Sequence, residues 1–92
     1  MKDKLLTIFN TYGKSQQASK LLEEVGEFIE TIMNEDKENM VQEIADVLNM
    51  LKQFQYYYGI KDEQIEEIMI YKINRQLERL NNEKGNKNNW LT

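Results

Sequence analysis

Two short acidic runs are the parts of this 92-residue chain most able to do chemistry. Glu23-Glu24-Val25-Gly26-Glu27 sets Glu24 and Glu27 three residues apart, and Glu43-Ile44-Ala45-Asp46 does the same for Glu43 and Asp46. On an α-helix, residues i and i+3 lie on one side a turn apart, so each pair can aim two carboxylates at one point. The chain has no His and no Cys. That excludes an imidazole base, a Ser-His-Asp triad, a thiolate nucleophile and His- or Cys-ligated zinc. Acid–base or metal chemistry must run on carboxylates, Lys or Tyr. An all-oxygen ligand set suits Mg²⁺ or Mn²⁺ and not Zn²⁺.

The two runs fall on consecutive predicted helices joined by the polar turn Asn34-Glu35-Asp36-Lys37. With the hairpin midpoint at residue 35, Glu27 and Glu43 stand equally far from the turn, as do Glu24 and Asp46. A rise of ~1.5 Å per residue puts all four carboxylates roughly 12–17 Å from the turn, at one level. On a helical wheel Glu43 sits between Val47 and Met50, inside the apolar sector. A lone buried carboxylate is costly and neutralises or finds a partner. A divalent cation would relieve both that cost and the mutual repulsion of four acids. Either run alone reads as a solvated helix face; the matched heights and the apolar position of Glu43 favour a metal site at Glu24, Glu27, Glu43 and Asp46.

A cationic stripe complements the acids. Lys72, Arg75 and Arg79 are spaced three and four apart on the last predicted helix. Inter-helix salt bridges or cations near a helix C-terminus are the plain explanation. The sharper one is that metal and cations together grip a polyphosphate.

These residues need elements to hold them. With no Pro and few Gly, little interrupts a helical reading. A short amphipathic helix is predicted over 2–12, with Gly13 as a left-handed stop and Ser15 as the next N-cap. Ala18, Leu21, Leu22, Val25, Phe28, Ile29, Ile32 and Met33 mark the second helix, from Ser15 to about Met33. The third runs from about Lys37 to Tyr58, with Asn34 or Asp36 as cap. The fourth is capped by Asp62 and reaches about Asn82. Short connections make neighbours antiparallel. The expected fold is an all-α antiparallel bundle of one short and three longer helices, a single domain over 1–82, followed by a polar tail over 83–92 that docks through Trp90. Twelve Lys+Arg against 16 Asp+Glu leave a net charge of −4, which argues against a nucleic-acid-binding surface. No apolar run approaches the ~18 residues of a membrane span, and no signal-peptide pattern is present. The reading is a soluble, cytoplasmic protein.

The segment Gln17-Ala18-Ser19-Lys20-Leu21-Leu22-Glu23-Glu24-Val25-Gly26-Glu27, followed by Glu43-Ile44-Ala45-Asp46-Val47-Leu48 and the basic Lys72-Ile73-Asn74-Arg75, resembles the MazG-like all-α nucleoside triphosphate pyrophosphohydrolases over roughly residues 12–80. The pattern EExxE…ExxD is complete. The resemblance implies Mg²⁺-dependent hydrolysis of an NTP or dNTP to the monophosphate and pyrophosphate, with Glu24, Glu27, Glu43 and Asp46 as metal ligands. It maps activation of the attacking water to Glu23, and nucleotide contacts to Gln17 and Lys20. Lys72, Arg75 and Arg79 become phosphate contacts.

The third helix is apolar over more than half its circumference, and a helix of that kind is buried on several sides. A homodimer or a dimer of dimers is expected, as the resemblance also implies. Two other readings remain at this point: a dUTPase-like enzyme restricted to pyrimidine nucleotides, and a non-enzymatic helical interaction module whose acids are a solvated face.

Overall fold

In the computed structural model, which describes residues 1–86, every regular element is a helix: α1 (Lys2–Tyr12), α2 (Lys14–Met33), α3 (Lys37–Tyr57) and α4 (Asp62–Asn86). The expected all-α fold of one short and three longer helices holds. The chain divides into two compact units, Met1–Ile60 and the chain from Lys61 onward. No helix among the described residues is long and apolar enough to cross a membrane.

In the first unit α2 and α3 form a hairpin, and α1 packs on both, chiefly on α3. Phe9 of α1 is the anchor, fully buried against Phe54 (centroids 5.1 Å, edge-on) and Tyr57 (4.5 Å). Among the described residues, Leu5 and Met50 are the other buried apolar side chains. Of the three consecutive tyrosines, Tyr57 and Tyr58 pack edge-on to one another, and Tyr56 lies beneath the ammonium groups of Lys2 and Lys52, each 5.6 Å from its ring.

The junctions explain the boundaries. Gly13 closes α1 and opens α2 at φ 90°, ψ 160°, a region that only glycine occupies readily. It is therefore not the left-handed stop expected, and Ser15 lies inside α2 rather than capping it. At the α2–α3 turn the N–H of Glu35 donates to Ile32 O (3.1 Å) and that of Asp36 to Thr31 O (2.9 Å). This is a Schellman closure with Glu35 in the left-handed position, φ 52°. Asp36 is the cap of α3: its Oδ1 accepts from the Asn39 N–H at 3.3 Å. α3 closes the same way, Gly59 at φ 66° donating to Tyr56 O and Ile60 to Gln55 O.

The second unit is described here by α4, a single helix of 25 residues. Gln64 Oε1 accepts the Lys61 N–H at 2.8 Å, while the Lys61 carbonyl accepts from the N–H of Gln64. Helix entry is thus reciprocal around Lys61, and Asp62, expected as the cap, is the first helical residue. α4 passes the expected end at Asn82 and continues to Asn86; Glu83 and Lys84 are good helix formers and no Pro stops them. Trp90 and its docking tail lie outside the described residues.

Candidate metal centre

The hairpin register decides what faces what. Gln17 Nε2 donates to Gln53 Oε1 at 2.7 Å, and these residues are equidistant from position 35, as are Glu27 and Glu43. The same register brings Glu24, Glu27 and Glu43 together, with one oxygen from each lying within 4.8 Å of the others. Oxygens around an octahedral Mg²⁺ lie roughly 3–4 Å apart, so small side-chain rotations would complete the approach. Asp46 stands outside this trio. It is exposed, one turn along α3 from Glu43, and shares a small cavity of about 220 Å³ with Glu24, Lys20 and Asn49.

Burial makes the cluster unlike a solvated face. Glu24 is 6% exposed. Its Oε1 receives the Lys20 ammonium at 3.1 Å, and its Oε2 is buried with no hydrogen-bond donor, as is the Oε2 of Glu43. Two buried carboxylate oxygens without donors are costly. The all-carboxylate donor set and these two orphaned oxygens fit a hard divalent cation.

The electrostatics follow from crowding. Burial pushes Glu43 up to about 7, helped by a proton shared with Glu24 and by the charges of Glu27, Glu24 and Asp46. Burial also pushes Glu24 up, but the Lys20 ammonium and the proton shared by Glu43 outweigh it, so Glu24 is held below the usual carboxylate range. Glu27 is raised, mainly by the charge of Glu24. Lys20 is raised by its hydrogen bond to Glu24 and by the charge of Glu23, whose Oε1 is 3.6 Å away. Crowding thus makes Glu43 the acid of the cluster that gives up its proton last.

A larger cavity, about 510 Å³, opens beside the acids and is lined by Ile8 and Tyr12 of α1, Lys20 and Glu23 of α2, and Met50 and Gln53 of α3. Glu23 is exposed at its edge. Gln17 also lines it but is 4% exposed, with its amide N–H committed to Gln53. On α4, Lys72, Arg75 and Arg79 line one cavity of about 390 Å³ with Met69, Ile73 and Gln76.

Residues 13–80 match the family model described as the MazG nucleotide pyrophosphohydrolase domain. The chain belongs to this family. Neither a curated protein nor a solved structure matches it. The MazG match takes in α2, α3 and most of α4 and begins after α1, which supplies Ile8 and Tyr12 to the large cavity. Those two residues, with Gln16, Ser19, Met50 and Gln53, line the large cavity and were not assigned to the site by motif reasoning. Gln53 was within reach of the sequence, because it mirrors Gln17 about position 35. As a neutral amide it gave no chemical signal.

Proposed function

We propose that this MazG domain is a divalent-metal-dependent nucleoside triphosphate pyrophosphohydrolase that converts an NTP or dNTP to the monophosphate and pyrophosphate. The observation that carries this reading is the pair of buried, donorless oxygens on Glu24 and Glu43 within the three-carboxylate group. Glu24, Glu27 and Glu43 would hold Mg²⁺ or Mn²⁺, with Asp46 as a fourth ligand reached by a side-chain swing. When bound, the ion lowers the pKa of a coordinated water and neutralises phosphate oxygens. Glu23, exposed at the mouth of the large cavity, is the group we assign to take a proton from the attacking water. Lys20 would supply positive charge to the phosphate chain, and Gln17 would hold the cavity wall through Gln53; within the second unit, Lys72, Arg75 and Arg79 form a cationic strip of their own that suits phosphate oxygens. Water adds across one phosphoanhydride bond; the monophosphate leaves on one side and pyrophosphate on the other.

The direct test is pyrophosphate release from a panel of NTPs and dNTPs with Mg²⁺ or Mn²⁺, against an EDTA control. Metal-dependent release is expected, and preference for dUTP alone would select the pyrimidine-restricted variant. Silence across the panel from folded, metal-supplied protein would end the enzymatic reading and favour a helical interaction module.

A homo-oligomer accompanies this reading. Leu22 and Ile29 on α2 and Val41 and Leu48 on α3 are 50–76% exposed, and each α2 residue mirrors an α3 residue about position 35. Within the second unit, α4 carries an exposed apolar row of Ile65, Met69 and Ile73. A second copy of the chain is the occupant we assign to such apolar strips.

A further inference from the structure

Lys20 occupies an unusual place in this site. Its ammonium is 3.1 Å from Oε1 of the buried Glu24 and 3.6 Å from Oε1 of the exposed Glu23. Its own side chain is 47% exposed, so it enters the acid cluster from solvent on a flexible stem. It also lines both neighbouring cavities, the small one with Glu24 and Asp46 and the large one with Tyr12 and Gln53.

Lys20 precedes Glu24 by four residues, the weaker order for a helical ion pair. Its position is therefore not explained by local helix energetics alone. Among the described residues it is the cation within ion-pair distance of the three converging carboxylates, which it meets through Glu24. A divalent ion held by those carboxylates would sit about 2.0–2.2 Å from each oxygen it contacts. An ion seated on the donorless Oε2 of Glu24 would draw charge from the carboxylate that holds the ammonium at Oε1 and would repel that ammonium across it.

We infer that Lys20 is an exchangeable counter-ion of the metal centre: it holds Glu24 before the divalent ion arrives, is displaced by the ion, and then reaches into the larger cavity to meet the phosphate chain. This rests on the metal reading above. It makes binding ordered, since the ion frees the cation that the anion needs. Lys20 is here a switching group for two ligands rather than a fixed salt-bridge partner.

The test compares wild type with Lys20→Met and Lys20→Arg, all three checked for helicity by circular dichroism. Mn²⁺ alone is titrated calorimetrically, and inorganic tripolyphosphate is then titrated at saturating Mg²⁺. Lys20→Met should bind Mn²⁺ about 5–10-fold more tightly, having lost the competitor, and tripolyphosphate about 10-fold more weakly. Lys20→Arg is the decisive variant, because it keeps the charge but grips a carboxylate with a two-pronged fork. It should bind Mn²⁺ about 3-fold or more weaker than wild type. Equal Mn²⁺ affinity in wild type and Lys20→Arg would overturn the exchange, since simple electrostatics predicts no difference there. Unchanged tripolyphosphate binding in Lys20→Met would overturn the second half. Wild-type protein that binds no Mn²⁺ would instead remove the metal reading itself, and the exchange with it.

Discussion

Glu43 is the residue on which the chemistry turns. A half-buried carboxyl raised to about 7 keeps a proton that an ordinary carboxylate has lost. Glu43→Gln should keep the fold, lower pyrophosphate release by at least about 100-fold, and abolish the rise in melting temperature that a native-state ligand such as Mn²⁺ produces. Full activity in that variant would refute the ligand assignment. The raised pKa also has a signed consequence. The folded, metal-free protein binds a proton that the unfolded chain releases near 4.5, so this stabilisation is complete below that pH and is lost as pH rises through about 7. The melting temperature of metal-free wild type should therefore fall relative to Glu43→Gln between pH 4.5 and 7.5; a constant difference would contradict it. Affinity for Mn²⁺ should climb over the same window, because the proton must leave. The apolar neighbours of Glu43 made its burial legible in the sequence. The grip of Lys20 on Glu24 was not, because a lysine four residues before a glutamate on a helix face is commonplace, and only the burial of Glu24 gives the pair meaning.

At the scale of the elements, α1 depends on one ring. Phe9→Ala removes its contacts to Phe54 and Tyr57 and should cost about 3–5 kcal/mol in urea unfolding, a large share of the stability of a small domain. The turns make opposite predictions. Gly13→Ala forces a β-carbon onto φ 90°, ψ 160° and should cost on the order of 1–3 kcal/mol. Glu35→Gly relieves a left-handed non-glycine residue and should gain roughly 0.5–1 kcal/mol. Identical melting curves for these two variants would mean that the turns, and not the helices, relax. Helix periods and a cap at Asn34 or Asp36 were readable because each follows from local chemistry, and the structure takes Asp36. The conformation of Gly13 was not, since a glycine between two helices permits several backbone solutions and the packing of α1 selects one. The inward turn of Gln53 likewise needed the three-dimensional neighbour Gln17 to be visible.

For the whole molecule, the assembly proposal is the prediction to test. Sedimentation of wild type should give a dimer or larger species, and Leu48→Glu, which places charge in the exposed α2–α3 strip, should shift it toward the monomer. A wild type that sediments as a monomer at all accessible concentrations would rule out the second copy. The family and the all-α class were legible because the acidic motifs and helical periodicity survive in one dimension. The contribution of α1 to the cavity was not, because no motif marks Ile8 or Tyr12 and the family match begins after them. The mirror symmetry of α2 and α3 about Glu35 also restricts how this chain can diverge. One residue added within α2 after Glu27, or within α3 before Glu43, would turn the acids against one another by about 100° and carry Glu43 off Glu24 and Glu27, whereas a residue added beside Gly13 or Gly59 leaves those partners matched. The number of helical residues between each acid and the bend is therefore as much a part of the metal centre as the acids themselves, and changes of length belong outside the stretch from Glu24 to Asp46.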